Sequence, residues 1–293
     1  MAVVTNVDFD HPDHFADACD VQRAFAQFLN QAPGVVAVVD ADDAGVQATL
    51  LLTCARAVRC VLSETTTDAS AQARAFHVQA DWDGSRFRVE YQGRDLGAVR
   101  LNVGGRHNVR NALLAIVAGL ECGAEFTAAA RALERFRGVR RRFDLRGEAA
   151  GVRVYDDYAH HPREIEATLE VAAQLRHREG RRVVVVFQPH RYTRTRALAD
   201  AFGRAFHEAD VLVLTDVYAA GDKPIDGVDG RLIAEAARNA GHTDVDYCPR
   251  LQQVCDALGP RLRPGDVVLT LGAGDVTSLG PALLDWLRGK EGA

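Results

Sequence analysis

Val154-Tyr-Asp-Asp-Tyr-Ala-His-His-Pro162 is a short apolar run that stops abruptly in two carboxylates, a tyrosine and two histidines, with a helical pattern behind it. Phe187-Gln-Pro-His-Arg-Tyr-Thr-Arg-Thr-Arg196 has the same shape. Strand, polar cluster, then helix is the pattern of the C-terminal edge of an open α/β sheet, where ligands bind. Three guanidinium groups within six residues, on Arg191, Arg194 and Arg196, each fork towards two oxygens of a carboxylate or phosphate. The ligand expected here is an anion.

Outward from these edges, strands are expected near 151–155, 182–187, 210–215, 244–247 and 266–271, with helices near 162–178, 195–208, 229–240, 250–258 and 276–288. Five strands separated by helices of this length call for parallel pairing with right-handed crossovers, an α/β, doubly wound, Rossmann-like domain. Asp216-Val-Tyr-Ala-Ala-Gly221 continues the same edge after the third strand. Leu271-Gly-Ala-Gly-Asp275 follows the last strand as a glycine turn suited to close ligand approach, although Gly-x-Gly alone is a weak signal.

The first half reads differently. Residues 1–10 open directly in a buried-type strand; a helix is expected over 13–31 and strands at 34–39 and 58–62. From Ala75 to Val103 the pattern shortens to alternation broken by Asp83-Gly84 and Gln92-Gly93, which indicates an antiparallel meander. Helices follow from Gly104 through Leu120 and over 127–136. Arg137-Gly-Val-Arg-Arg-Arg-Phe-Asp144 is a polar joint, so the expected domains are 1–139 and 140–293.

A net charge of −5 over 293 residues offers no general attraction to nucleic acid or to an anionic membrane. No apolar run is long enough for a span, and no basic segment precedes an apolar one at the start. The six cysteines form no Cys-x-x-Cys pair and are expected as small buried hydrophobes in a reducing cytoplasm.

Three further constellations admit two readings. Asp8-Phe-Asp-His11 is a magnesium or phosphate-side site, or a helix start capped by Asp10 or Asp13. Asn108 and Asn111 cap a helix or bond the edge of a purine. Arg140-Arg-Arg142 is a solvated run or a phosphate clamp. A zinc site from His160, His161 and His190 is disfavoured, because adjacent histidines point differently.

These segments, with Gly105-Arg-His-Asn-Val-Arg-Asn111, Arg141-Arg-Phe143 and Thr5-Asn-Val-Asp-Phe-Asp-His11, match the Mur ligase family in identity, order and spacing, and the chain most resembles its alanine-adding branch. The resemblance implies an ATP-dependent, ADP-forming ligation of L-alanine to the carboxylate of UDP-N-acetylmuramate through an acyl phosphate, in cytoplasmic peptidoglycan synthesis. It places His11 at Mg2+, Asn108 and Asn111 near ATP, and Arg142 and Asp157 at the catalytic face. Tyr158, His160, His190, Arg191 and Arg194 would hold the amino acid. The sequence has no Gly-x-x-x-x-Gly-Lys-Thr/Ser phosphate loop. The expectation is therefore an incomplete central ATPase domain followed by a whole C-terminal domain, inactive alone; a genuine short gene, a misplaced start, a fragment, and a split enzyme with the N-terminal segment as a separate partner chain are the readings left open for the start. The alternatives are a non-catalytic amino-acid or anion-binding module, the related ligase that recycles cell-wall tripeptide, and a flavodoxin-like nucleotide-binding protein.

Overall fold

The computed structural model describes residues 1–31, 34–62 and 70–291. They form two compact units, Met1–Arg137 and Gly138–Ala293.

The first unit runs β1 (Ala2–Val4), α1 (Ala18–Asn30), β2 (Val36–Asp40), α2 (Ala44–Leu50), β3 (Arg56–Leu62), β4 (Ala73–Ala80), β5 (Ser85–Tyr91), β6 (Arg94–Leu101), α3 (Arg106–Glu121) and α4 (Phe126–Arg135). Its sheet has the order β1-β2-β3-β4-β5-β6, parallel as far as β4 and antiparallel beyond. Successive residues of a strand point to opposite faces. Val38 therefore joins Val109, Leu113 and Ile116 of α3, while Ala37 and Val39 join Val21 and Leu29 of α1. Helices cover both faces, which explains why β2 reads as a continuous apolar run.

The start of α1 departs from expectation. The amides of His14 and Phe15 both bond the His11 carbonyl, so residues 11–15 form a tight turn. The helix begins at Ala18, capped by Asp17 rather than by Asp10 or Asp13. The seven-residue α2 was not anticipated, being too short for a helical period to emerge. The Asp43 side chain fixes its start by accepting from Val46 (2.8 Å) and from Val7 (3.1 Å).

The second unit runs β7 (Asp144–Ala149), β8 (Val152–Asp157), α5 (Pro162–Glu179), β9 (Val183–Phe187), α6 (Tyr192–Ala197), α7 (Ala199–Ala205), β10 (Val211–Leu214), α8 (Gly230–Asn239), β11 (Val245–Tyr247), α9 (Val254–Leu258), β12 (Val267–Leu271) and α10 (Leu279–Glu291). The order β11-β10-β9-β12-β8-β7 is parallel except for β7, which pairs antiparallel to β8. That sixth strand is a correction to the all-parallel expectation. Asp144-Leu-Arg-Gly-Glu-Ala149 shows no alternation because it is a half-exposed edge with a register shift between Leu145 and Gly147.

The cysteines also depart from expectation. Cys60 is buried, and burial pushes its thiol up to about 12, the behaviour of an inert core residue. Cys19, Cys54 and Cys122 are exposed, and Cys248 and Cys255 are half-buried. Among the described residues no helix is long and apolar enough to cross a membrane.

Candidate functional site

In the second unit, β12 lies between β8 and β9. α10, which follows β12, packs Leu279, Leu283 and Leu287 on the face that carries Val154, Val184 and Val268. After β9 the chain packs Phe202 and Phe206 against Phe187 instead, with ring centroids 5.4 and 5.3 Å away. Phe187 alternates with Val186 along the strand, so it faces the opposite side. Connections leaving neighbouring strands towards opposite faces open a crevice at their carboxyl ends. Most of the side chains singled out in the second half converge there.

The two carboxylates do different work. Asp156 is fully buried; one oxygen accepts from Thr270 (3.0 Å) and the other from Thr277 (2.7 Å) and Arg141 Nε (3.2 Å). Arg141 also donates to the Gly272 carbonyl at 2.7 Å, so it ties the segment before β7 to the glycine turn after β12. Asp157, 4% exposed, accepts the amides of Phe143 and Ala159, both at 2.8 Å. Burial pushes its carboxyl up to about 6, against the pull of those two amides and of the Arg142 guanidinium 3.9 Å away. Arg142 itself is half-exposed and reaches Glu164 at 3.3 Å.

From Arg142 the site runs through a series of rings. Its guanidinium lies 5.5 Å from the Tyr158 ring, Tyr158 is 5.2 Å from His160, and His160 is 5.7 Å from His190. Tyr218 stacks on His190 at 5.7 Å and an interplanar angle of 12°. Arg194, 2% exposed, sets Nη1 3.1 Å from His190 Nδ1. Burial, then Arg194 and His160, push the His190 imidazole down to about 4. His190 is thus an uncharged ring at neutral pH. Arg191 stands at φ +69°, a left-handed conformation held by its amide bond to the Tyr218 carbonyl (2.9 Å) and by its ion pair with Asp222 (3.2 Å).

The glycine turn completes the floor. A Cβ on Gly274 would stand 2.5 Å from Gln188 Oε1 and 2.6 Å from Tyr218 Cγ, so the backbone approaches here as only glycine permits. Gln188 in turn donates to Asp275 at 2.7 Å and accepts the Val276 amide at 3.1 Å.

The structure brings Asp157, Arg142, Tyr158, His160, His190, Arg191 and Arg194 to one edge. Two neighbours fall outside. His161 caps α5, where Pro162 at the first position and Glu164 complete a capping box, and Arg196 is exposed. Glu164 and Asp222 were missed as site residues, and Arg141, read with its neighbours as a solvated run or a phosphate clamp, instead ties Asp156 to the glycine turn; Glu164 stands three residues after His161, the capping-box spacing that could have found it.

In the first unit neither asparagine caps α3. The N-cap is Gly105, without a side-chain bond, while Asn108 donates to the Gly104 carbonyl at 2.7 Å and Asn111 is exposed. His11, at φ +54°, lies 3.7 Å from Asp10 and 3.9 Å from Asp13. Among the described residues no three His, Cys, Asp or Glu side chains are grouped to hold a metal ion, at His160, His161 and His190 or elsewhere.

The family model of the Mur ligase middle domain matches residues 1–119, and that of the Mur ligase, glutamate ligase domain matches residues 141–274. The UDP-N-acetylmuramate--L-alanine ligase of Desulfosudis oleivorans is 46% identical over 292 residues, 99% of this chain and 62% of that protein. The enzyme of the same name from Myxococcus xanthus is 44% identical, over 98% of this chain and 60% of its own length. Among solved structures, the UDP-N-acetylmuramate-alanine ligase of Thermotoga maritima superposes with a TM-score of 0.74 at 26% identity, covering 99% of this chain and 60% of that one. A murein peptide ligase of Psychrobacter arcticus shares the fold, with a TM-score of 0.69 at 22% identity, over 98% of this chain and 57% of that one. The chain therefore spans about three fifths of the length of the relatives it matches.

Proposed function

The chain belongs to the Mur ligase family, and on that premise we propose that its second unit holds L-alanine for an ATP-dependent, ADP-forming ligation to the carboxylate of UDP-N-acetylmuramate, a cytoplasmic step of peptidoglycan synthesis. The observation that carries this reading is the rim itself. A fully buried guanidinium on Arg194, a strained and pinned Arg191 and an uncharged His190 surround one crevice. A small amino acid needs that combination, because a bidentate arginine suits its carboxylate and close polar definition suits its size.

Tyr158, His160, His190, Arg191 and Arg194 are the proposed amino-acid contacts, and Arg142 and Asp157 the proposed catalytic pair. Both Asp157 oxygens accept backbone amides, so its part is to fix the turn that presents Arg142 and Tyr158. Asn108 and Asn111 are the proposed nucleotide contacts in the first unit. ATP would supply the phosphoryl group that converts the muramic carboxylate into an acyl phosphate. The donor set near His11, one imidazole with Asp10 and Asp13, suits Mg2+ poorly, since that ion prefers oxygen in octahedral array. No step is therefore assigned to a metal at His11.

Calorimetry of this chain with L-alanine tests the binding half. Saturable binding that disappears in Arg191→Ala together with Arg194→Ala is expected; binding that survives both changes refutes the site. For the reaction, the chain joined to the preceding portion of the Myxococcus xanthus relative should release phosphate from ATP only with L-alanine and UDP-N-acetylmuramate together. Release indifferent to alanine would sink the proposal.

A further inference from the structure

Arg142 is carried by a segment that is strained on both sides of it. Arg141 stands at φ +59° and Phe143 at φ +48°, left-handed conformations that residues other than glycine keep only where the surroundings over-determine them. Here the end of β8 does so. The Tyr158 amide bonds the Arg141 carbonyl at 2.7 Å, Asp157 accepts the Phe143 amide at 2.8 Å, and the Phe143 ring stacks on Tyr155 with centroids 4.6 Å apart. Asp156, in the middle of that run, takes the Arg141 side chain itself, with Nε 3.2 Å from its Oδ2.

Asp156 is fully buried and fixed from behind, by Thr270 on one oxygen (3.0 Å) and Thr277 on the other (2.7 Å). Arg141 spans from that carboxylate to the glycine turn, where Nη2 bonds the Gly272 carbonyl at 2.7 Å and lies 3.4 Å from that of Gly274. A buried ion pair is weak evidence of added stability, because desolvation offsets the attraction. What this one fixes is a direction. With its side chain anchored inside the unit, Arg141 cannot relax out of the left-handed region. Arg142, next in the chain, is therefore turned outward, its side chain 48% exposed and its guanidinium 3.3 Å from Glu164. We propose that Arg141 and Asp156 are positioning residues for Arg142: the pair holds the strained turn that aims its guanidinium for the ligation, and Asp157 shares the task through the Phe143 amide. The inference rests on the reading of Arg142 as a catalytic group and supplies what holds a half-exposed arginine on line. The crevice keeps ties of its own without Arg141, since Gln188 bonds Asp275 and the Val276 amide, and Tyr158 keeps its ring contact with His160. Turnover, rather than alanine affinity, is where the pair should act.

Backbone 15N relaxation in this chain reads the turn directly. The amides of Arg142 and Phe143 are expected to be as ordered as those of β8. Arg141→Ala removes the tie at a side chain that is 26% exposed, so the fold should survive it. The variant should lower the order parameters of those two amides from about 0.85 towards about 0.6, while β8 and β12 stay rigid. Amides that remain equally ordered overturn the inference alone. Turnover is read in the chain joined to the preceding portion of the Myxococcus xanthus relative. There Arg141→Ala should lower kcat roughly a hundredfold, the scale of a misplaced catalytic group, and leave the KM for L-alanine unchanged, the mark of an interaction needed only in the transition state. Arg141→Lys, whose ammonium reaches one anchor but cannot fork to both, should recover part of the loss. Gly180→Ala, which strains the C-cap of α5 instead, should keep the parent kcat. A kcat indifferent to Arg141→Ala, or one that falls as far in Gly180→Ala, overturns the positioning role while the amino-acid site stands. If the joined ligase with all its native residues releases no phosphate in response to L-alanine, the proposed function falls, and this role with it.

Discussion

Asp222 Oδ1 accepts from Arg191 Nη1 at 3.2 Å, while its second oxygen accepts both the amide (3.2 Å) and the hydroxyl (2.8 Å) of Thr193. One carboxylate in the loop after β10 thus holds the residue before α6 and the first turn of that helix. Burial would raise the Asp222 carboxyl, but the two Thr193 bonds and Arg191 outweigh it and hold the group below the usual carboxylate range. The ion pair is therefore present throughout the neutral range. With one nitrogen of the fork occupied, the rest of the Arg191 guanidinium is aimed rather than swinging. Asp222→Asn is expected to weaken L-alanine binding about tenfold, or about 1.4 kcal/mol, by calorimetry. The melting midpoint should fall by only a few degrees. Binding unchanged in this variant would show that Arg191 needs no such anchor.

Gly274 makes a sharper prediction, because the atoms a Cβ would strike are hemmed in. Gln188 Oε1 is held by its bond to the Val276 amide, and the Tyr218 ring is stacked on His190. Gly274→Ala must displace one of them, at a cost of about 1–3 kcal/mol typical of overpacking. The stack should open, and alanine affinity should drop at least tenfold. Gly180, in the left-handed C-cap of α5, is the control: nothing lies within 4 Å of its added Cβ. Gly180→Ala should cost stability through backbone strain alone and leave alanine binding intact.

His190 should titrate near 4, far below an ordinary histidine. A group whose folded pKa is depressed adds stability that is present above the unfolded value of about 6.5 and is lost as pH falls through about 4. Alanine binding should therefore show no step near pH 6.5 from this ring. Arg194→Gln removes the charged neighbour and should raise the His190 midpoint, as followed by NMR, while weakening alanine binding by more than tenfold, because a carboxylate partner is lost from a buried position. A midpoint that stays near 4 in the variant would assign the depression to burial and the other neighbouring charges, and none of it to Arg194.

β9 and β10 were legible because each is an uninterrupted, fully buried apolar run ending in polar residues, and burial on both faces enforces that pattern. β7 was illegible for the complementary reason: an exposed edge strand places no demand on every second residue. The same limit governed the site. His160 and His161 are chemically identical in the sequence, and only the geometry of the α5 start sends one to the helix amides and the other to the crevice. Likewise Arg194 and Arg196 are two residues apart, so they project from opposite sides of α6, one into the unit and one into solvent. Of the acceptors that orient these groups, Glu164 arrives from a helix turn at the capping-box spacing after His161, whereas Asp222 arrives from a loop that no spacing rule tied to the rim.

Asp157 provides the last test, through the pH dependence of stability. Its folded carboxyl is raised to about 6, above the unfolded value near 3.9, so the folded state favours the protonated form. The stabilisation this gives is fully present below about pH 4 and is lost as pH rises through about 6; the most it can contribute is about 3 kcal/mol. Denaturant unfolding of the chain from pH 4 to 7 should accordingly show a component of stability that declines with pH. Asp157→Asn cannot ionise and should abolish that component. It should also lower stability throughout, because its amide nitrogen would oppose the N–H of Phe143 or Ala159 where a carboxylate oxygen now accepts. If the Asn variant keeps the full pH dependence of the parent, the raised carboxyl lies elsewhere, and Asp157 is an ordinary ionised anchor of the turn.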